Sequence, residues 1–265
     1  MKITNVQAVE LKLPQISSAA DGTQDDLIII VETDEGITGY GEVDTAPGVG
    51  KAVVDAYMSH GTCYGLREVV TGSDPFDYEQ IWNDMWAKTY YYGRSGPVMH
   101  VMSGIDMAIW DIMGKACGKP VHKLLGGSYT NKVRAYASAL MPENKEMVKK
   151  MVESYVSQGF TAIKFGWGPL GYDVNFDIEL VKTARQAAGD EVDIMIDIGK
   201  RYRLKSAVYV AKALEQLNIY WLEEPLPAED YIGYKRLTES TSMRIATGEE
   251  ESGRLAFSRL INETH

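Results

Sequence analysis

Cysteine is scarce in this chain, and its scarcity bears on the cellular compartment. The 265 residues include only two cysteines, Cys63 and Cys117, which have no C-x-x-C spacing. Two isolated cysteines do not make the disulfide framework of a secreted domain. We therefore expect a reducing compartment, the cytoplasm.

Positive charge and long apolar runs are also lacking. Lys and Arg total 27 against 37 Asp and Glu, which gives a formal net charge of −10 and a pI near 5.0. Nucleic acid and anionic membrane surfaces repel such a chain. The densest apolar run, LIIIV at 27–31, is far too short to span a bilayer. The expected partner is a small molecule or another protein, with no nucleic acid and no membrane.

The first half of the chain mixes strand and helix patterns. ITNVQAVELKL and DLIIIVETDEGITGYGEV read as strands, with TDEG at 33–36 as a hairpin turn. Apolar residues at three-to-four spacing predict a helix within 96–120. A Gly/Ser/Asn cluster at 126–132 marks a boundary. We therefore predict an α+β domain at 1–126 and a second domain at 127–265.

The second half alternates between short apolar strands and amphipathic helices. Its five strand-like segments are VRAYASA (133–139), TAIKFG (161–166), DIMIDIG (193–199), NIYWLEEP (218–225) and RIATGE (244–249). Such alternation requires a parallel sheet covered by helices, either a (β/α) barrel or an open doubly wound sheet. The sequence has no G-x-G-x-x-G or P-loop motif, which weakens the nucleotide-binding open sheet.

Three of these segments carry an acid near their ends at equal intervals. Asp197, Glu223 and Glu249 are separated by 26 and 26 residues. One βα unit per interval places the carboxylates at the carboxyl ends of strands about 4.8 Å apart, where barrel enzymes have their active sites. Repulsion among the three favours a cation between them, and carboxylate oxygens suit Mg²⁺.

Two alternatives stay open at this point. Each acid by itself is more typical of a helix N-cap or a surface charge, although the equal spacing of all three favours a shared metal. In addition, Glu224 follows Glu223 directly, and neighbouring side chains of a strand point to opposite faces. Only one of the two faces the metal, and the pattern does not decide which.

The chain resembles the enolase superfamily, within the mandelate racemase and muconate lactonizing group. The resemblance covers all 265 residues and is carried by DEGITGYGE at 34–42, SGIDMAIWDIMGKACGKPVHKLLGG at 103–127, TAIKFG, and the acids of MIDIG, WLEEP and TGEE. It implies an α+β capping domain and a modified TIM-type (β/α) barrel, with Asp197, Glu223 and Glu249 as Mg²⁺ ligands. Glu224 is then left for a structural or supporting role.

The resemblance also implies a chemistry. Enzymes of this group remove the proton alpha to a substrate carboxylate through an enediolate that Mg²⁺ stabilises. Their second barrel strand commonly ends in K-x-K, and the second lysine is a base. Here Lys164 stands at the first position and Gly166 at the second. Lys164 is expected to neutralise the substrate carboxylate, with a role as base as the alternative, and a two-base racemase is disfavoured.

The chain stops before other features that the resemblance leads us to expect. About five βα units are recognisable, whereas eight close a barrel of this type. The Asp and His that relatives carry on later strands as a base dyad have no counterpart in these residues. We therefore expect the 265 residues to be part of a longer chain.

Substrate contacts are expected in the capping-domain loops at 14–26 and 45–50, with Arg94 and Lys200 as weaker candidates. The first loop is polar and rich in small residues, which favours a hydroxylated acid over an aromatic one. We therefore expect an Mg²⁺-dependent sugar-acid dehydratase, acting on an aldonic or aldaric acid as a homo-oligomer. The alternatives are a racemase, epimerase or cycloisomerase of the same superfamily, or a truncated metal-binding protein without activity.

Overall fold

The computed structural model of the protein describes residues 1–17 and 24–264. The chain divides into two compact units, Met1–Asn131 and Lys132–His265, and each unit has its own hydrophobic core. The predicted boundary after residue 126 lies close to this division. Within the described residues, no helix is long and apolar enough to cross a membrane.

The first unit contains a three-stranded antiparallel sheet. Its strands are β1 (Ile3–Leu11), β2 (Asp26–Thr33) and β3 (Thr38–Val43), in the order β1-β2-β3. Buried and more exposed residues alternate along β2, as expected for a sheet with one face on the core. The turn between β2 and β3 uses a left-handed glycine, Gly36, with φ of +76°. The predicted strands and hairpin are confirmed.

Among the described residues of the first unit there are five α-helices, besides a short 3-10 helix at Pro75–Asp77. They are α1 (Pro47–Asp55), α2 (Leu66–Val70), α3 (Tyr78–Thr89), α4 (Pro97–Cys117) and α5 (Val121–Leu124). Pro97 at the first turn and left-handed Gly118 at the C-cap set the ends of α4. Helix α4 is buried along one face, which contributes much of this core.

Strand β3 packs so closely on α4 that its backbone lies against the backbone of the helix. A Cβ atom placed on Gly39 or Gly41 would overlap a carbonyl oxygen of α4, that of Ala108 or Gly104 respectively. The strand and the helix therefore approach closely only because these two positions carry no side chain.

The second unit is a parallel sheet of five strands, each followed by a helix. The strands are β4 (Ala137–Leu140), β5 (Ala162–Gly166), β6 (Asp193–Asp197), β7 (Trp221–Glu223) and β8 (Ile245–Ala246). The helices are α6 (Lys145–Ser157), α7 (Val174–Ala188), α8 (Leu204–Glu215), α9 (Tyr231–Ser240) and α10 (Gly253–Thr264). Each of these five strands overlaps one of the predicted segments, and β4 begins at Ala137 rather than at Val133.

The strand order of this sheet is β4-β5-β6-β7-β8, the same as the order in the sequence. A doubly wound sheet reverses direction at a switch point, and no reversal occurs among the described strands. Strand β8 is shorter than predicted, because the chain leaves the sheet after Ala246. The carboxyl ends of all five strands lie at one edge, as parallel pairing requires.

The close approach of β3 to α4 gives a test of the first unit. We expect Gly41→Ala to lower the free energy of unfolding of this unit by about 2 kcal/mol, because the added methyl group forces the strand away from α4. The measurement is chemical denaturation followed by circular dichroism.

The matched control is Gly48→Ala on α1. Gly48 is exposed, and a Cβ atom there meets nothing within 4 Å. We expect this variant to stay within about 0.5 kcal/mol of the parent protein. Equal stability of the two variants would contradict the close packing.

Candidate metal centre

The strand register brings two of the predicted ligands together. Asp197 ends β6, Glu223 ends β7, and the two residues are paired in the ladder between these strands. Asp197 is buried, at 5% exposure, and Glu223 is half-buried. Oxygen atoms of Asp197, Glu223 and Glu249 all lie within 4.8 Å of one another. The structure thus gathers the three predicted acids in one place.

Glu249 reaches this place by a different route from the other two. The prediction that it ends a strand is wrong, because β8 ends at Ala246 and Glu249 lies three residues later, in a turn. Gly248, with φ of +113°, directs the backbone out of the extended conformation. The Glu249 side chain remains 53% exposed. Its position therefore depends on the turn rather than on strand pairing.

Lys164 lies directly against two of these acids. It stands in the middle of β5 with its side chain 15% exposed, and its Nζ lies 2.7 Å from Glu223 Oε1 and 3.7 Å from Asp197 Oδ2. Burial lowers the pKa of Lys164, but the hydrogen bond to Glu223 and the charges of Glu223 and Asp197 outweigh this, so the pKa is raised. The side chain is therefore a fixed ammonium ion at neutral pH.

Other hydrogen-bond donors hold the carboxylates of Asp197 and Glu223 in place. The indole Nε1 of Trp221 donates to Glu223 Oε2 at 2.9 Å, so that both oxygens of Glu223 have partners. The amide of Gly199 donates to Asp197 Oδ1 at 2.9 Å. These bonds orient the acids through groups of their own chain.

The donor set fits a divalent cation with a preference for oxygen. Three carboxylates converge, and Lys164 is the ammonium ion that lies within 4 Å of two of them. A further positive charge would relieve the remaining repulsion. Hard carboxylate oxygens without sulfur or imidazole are typical of Mg²⁺ sites.

Gly166 has no space for a side chain in this backbone. It pairs with Asp197 in the ladder, and a Cβ atom placed on it would lie 2.9 Å from Asp197 Cβ and 3.3 Å from Oδ2. At the position of the second lysine of the K-x-K pattern, this chain therefore has only backbone, which lies against the side chain of Asp197.

Lys200 and Arg94 lie in different settings. Lys200 follows β6 with a left-handed φ of +67°, and its Nζ lies 2.8 Å from Glu250 Oε1 and 4.0 Å from Glu249 Oε1. Arg94 is an exposed residue of the first unit, where its guanidinium lies over the ring of Tyr90 at 5.5 Å. The predicted contacts of both residues with substrate stay predictions. The predicted substrate loop at 14–26 includes residues 18–23, which lie outside the described residues.

Sequence reasoning missed one residue of this region, Trp221. Trp221 stands two residues before Glu223, and side chains two apart on a strand share a face; this spacing was the available signal. Glu224, which was left for a structural or supporting role, is 1% exposed and accepts hydrogen bonds from Thr247 and the Gly248 amide. Alternation indicated that Glu223 and Glu224 diverge, but not which of them joins Asp197.

Two family models match the chain. The mandelate racemase/muconate lactonizing enzyme N-terminal domain matches residues 2–126, and the enolase C-terminal domain-like model matches residues 146–265. Together they cover most of both units.

Individual relatives agree with these models. Arabinonate dehydratase of Saccharolobus solfataricus is 34% identical over 88% of this chain and 61% of its own length. The 3,6-anhydro-alpha-L-galactonate cycloisomerase of Streptomyces coelicolor is 30% identical over 84% of this chain and 60% of its own. A racemase from Streptomyces coelicolor, solved with bound magnesium, superposes with a TM-score of 0.87 at 27% identity, over 98% of this chain and 74% of its own.

The chain thus spans about 60% of the length of the curated relatives that it matches. The family models cover most of the 265 residues. The chain belongs to the mandelate racemase and muconate lactonizing group of the enolase superfamily.

Proposed function

We propose that the chain carries the metal centre of an Mg²⁺-dependent enzyme that removes the proton alpha to the carboxylate of a small hydroxy acid. The convergence of Asp197, Glu223 and Glu249 beside the ammonium of Lys164 carries this proposal. The racemase solved with bound magnesium supports the choice of metal. The reaction class that we favour is dehydration of a sugar acid, which is the activity named for the relative at 34% identity.

Each residue has a defined part in this proposal. Asp197, Glu223 and Glu249 would hold Mg²⁺, which, when bound, supplies positive charge to offset the charge that develops on the substrate carboxylate. Lys164 donates a hydrogen bond to the same carboxylate and remains protonated. In a site closed to water, such a donor is worth more than it is in solvent.

Lys164 does not serve as the base in this proposal. Burial lowers its pKa and the neighbouring acids raise it, with a net rise, and its ammonium donates a hydrogen bond to Glu223. Gly166 contributes no side chain on the same strand. None of the described histidines lies in the second unit. We therefore assign the base to none of these residues.

A cycloisomerase is the second candidate. The Streptomyces coelicolor relative at 30% identity carries that name. The absence of a second lysine on β5 disfavours a racemase more than it disfavours a dehydratase or a cycloisomerase. Inversion by two bases requires one base on each face of the substrate. We also propose that the five strands are units of a (β/α) barrel, which their sequential order supports.

The experiment that tests the function is proton–deuterium exchange. The protein is incubated in D₂O with Mg²⁺ and a panel of aldonic and aldaric acids, and the α-carbon is followed by NMR. Exchange with loss of water supports the dehydratase, and ring rearrangement without loss of water supports the cycloisomerase. Exchange with inversion supports an epimerase. A protein that binds Mg²⁺ but exchanges none of these acids contradicts the catalytic proposal.

A second prediction concerns the metal ligands. We expect Glu223→Gln to weaken Mg²⁺ binding by at least tenfold, because it removes a charged ligand, with calorimetric titration as the measurement. The matched control is Glu179→Gln. Glu179 accepts a hydrogen bond from the Lys145 ammonium at the same distance of 2.7 Å, and both side chains are exposed. Equal Mg²⁺ affinity of both variants would contradict the ligand assignment.

A third prediction separates the roles of Lys164. We expect Lys164→Met to lower kcat/KM on the order of 100-fold, because the substrate carboxylate loses its donor. The same variant is expected to bind Mg²⁺ as tightly as the parent or more tightly, since a competing positive charge is removed from Glu223. Lys145→Met is the control for both measurements. A parallel loss of activity and Mg²⁺ affinity in Lys164→Met would show that Lys164 acts only by shaping the ligand site.

A further inference from the structure

Glu224 is a buried carboxylate that the proposed reaction does not use. It follows Glu223 directly, and its residue exposure is 1%. Its φ of +43° lies in the left-handed region, where a residue with a Cβ atom is disfavoured. Such a conformation persists only where the surrounding contacts determine it. The backbone therefore turns Glu224 away from the three acids at some cost in free energy.

The side chain of Glu224 holds the turn that follows β8. Its Oε1 accepts hydrogen bonds from Thr247 Oγ1 at 2.8 Å and from the Gly248 amide at 2.9 Å. The Glu224 amide donates to the carbonyl of Ala246 at 2.9 Å, the last residue of β8. Glu224 is thus hydrogen-bonded to the residues at which the chain leaves the sheet, directly before Glu249.

The backbone of Glu224 also joins the segment that follows β6. The Lys200 amide donates to the Glu224 carbonyl at 2.6 Å, and Lys200 stands three residues after Asp197. The Lys200 ammonium then reaches Glu250. One residue is therefore bonded to the chain segments that carry all three acids.

The second oxygen of Glu224 makes the arrangement more costly still. Oε2 is buried and has no hydrogen-bond partner among the described residues. A buried carboxylate with an unused acceptor is unfavourable for folding, and an apolar side chain would avoid the penalty. Stability alone therefore does not account for a glutamate at this position.

We propose that Glu224 is a positioning residue that places the Glu249 carboxylate at the metal centre. Asp197 and Glu223 are fixed by the ladder between β6 and β7, whereas Glu249 is half exposed and lies beyond its strand. The bonds from Glu224 to Thr247 and Gly248 supply the constraint that the ladder does not. This inference rests on the proposed metal centre.

The test removes the bond and leaves the charge of Glu224. In Thr247→Val the hydroxyl donor is lost while the carboxylate remains, and we expect about tenfold weaker Mg²⁺ binding in calorimetric titration of the intact chain. Thr247→Ser keeps the hydroxyl and is expected to bind Mg²⁺ within about twofold of the parent. Tyr234→Phe controls for the second hydroxyl that interacts with Thr247, and it should leave the affinity unchanged.

A matched control lies at the other end of the same strand. Glu215 accepts hydrogen bonds from Thr241 Oγ1 and from the Ser242 amide, just before β8 begins. Thr241→Val therefore removes the same kind of hydrogen bond, from a hydroxyl to a carboxylate, from the segment that precedes β8. We expect it to leave the Mg²⁺ affinity unchanged.

The outcomes separate this inference from the proposed function. Absence of Mg²⁺ binding in the parent protein would overturn the metal centre and the inference together. Binding in the parent with unchanged affinity in Thr247→Val would overturn the positioning role alone. Equal weakening by Thr247→Val and Thr241→Val would also overturn it. If Thr247→Val does not fold, Thr247→Ala, which also lacks the hydroxyl donor, replaces it, and unchanged Mg²⁺ affinity in that variant would overturn the positioning role.

Discussion

The repulsion between carboxylates at the ends of parallel strands governs the local design of the second unit. The ladder between β6 and β7 sets Asp197 beside Glu223, and Glu249 joins them within 4.8 Å. Like charges at this separation destabilise a partly buried site unless opposite charge or N–H donors offset them. The surrounding residues are best understood as the means by which the chain tolerates that arrangement.

The alternation of side chains along the strands places two of the donors, Lys164 and Trp221, that offset this repulsion. Lys164 stands two residues before Gly166, the partner of Asp197 in the ladder, and Trp221 stands two residues before Glu223. Residues two apart share a face, so the donors lie one step further along the strands from the acids that they stabilise. Gly166 completes the pattern, because any side chain there would contact Asp197. A short alternating pattern thus specifies the charged groups and their donors together.

The same periodicity explains what could be predicted from the sequence. The apolar runs located the five strands but not all of their ends, since β4 begins four residues later than its predicted segment. Equal intervals of 26 residues indicated that Asp197, Glu223 and Glu249 would converge. The end of β8 was missed, because Gly248 takes a left-handed conformation that no strand pattern encodes. The bond between Lys200 and Glu250 joins segments 50 residues apart. Contacts of that kind arise from tertiary packing, and local pattern carries no signal for them.

The three acids are therefore anchored by unequal means. Changing the position of Asp197 relative to Glu223 requires a shift of register, which would turn every side chain of the strand to the other face. The position of Glu249 depends instead on the turn after Ala246, which no strand pairing holds. The left-handed backbone and the unused buried oxygen of Glu224 both occur beside that turn. The left-handed backbone and the buried Oε2 of Glu224 thus lie next to the one of the three acids that the sheet does not fix, as expected if Glu224 holds it.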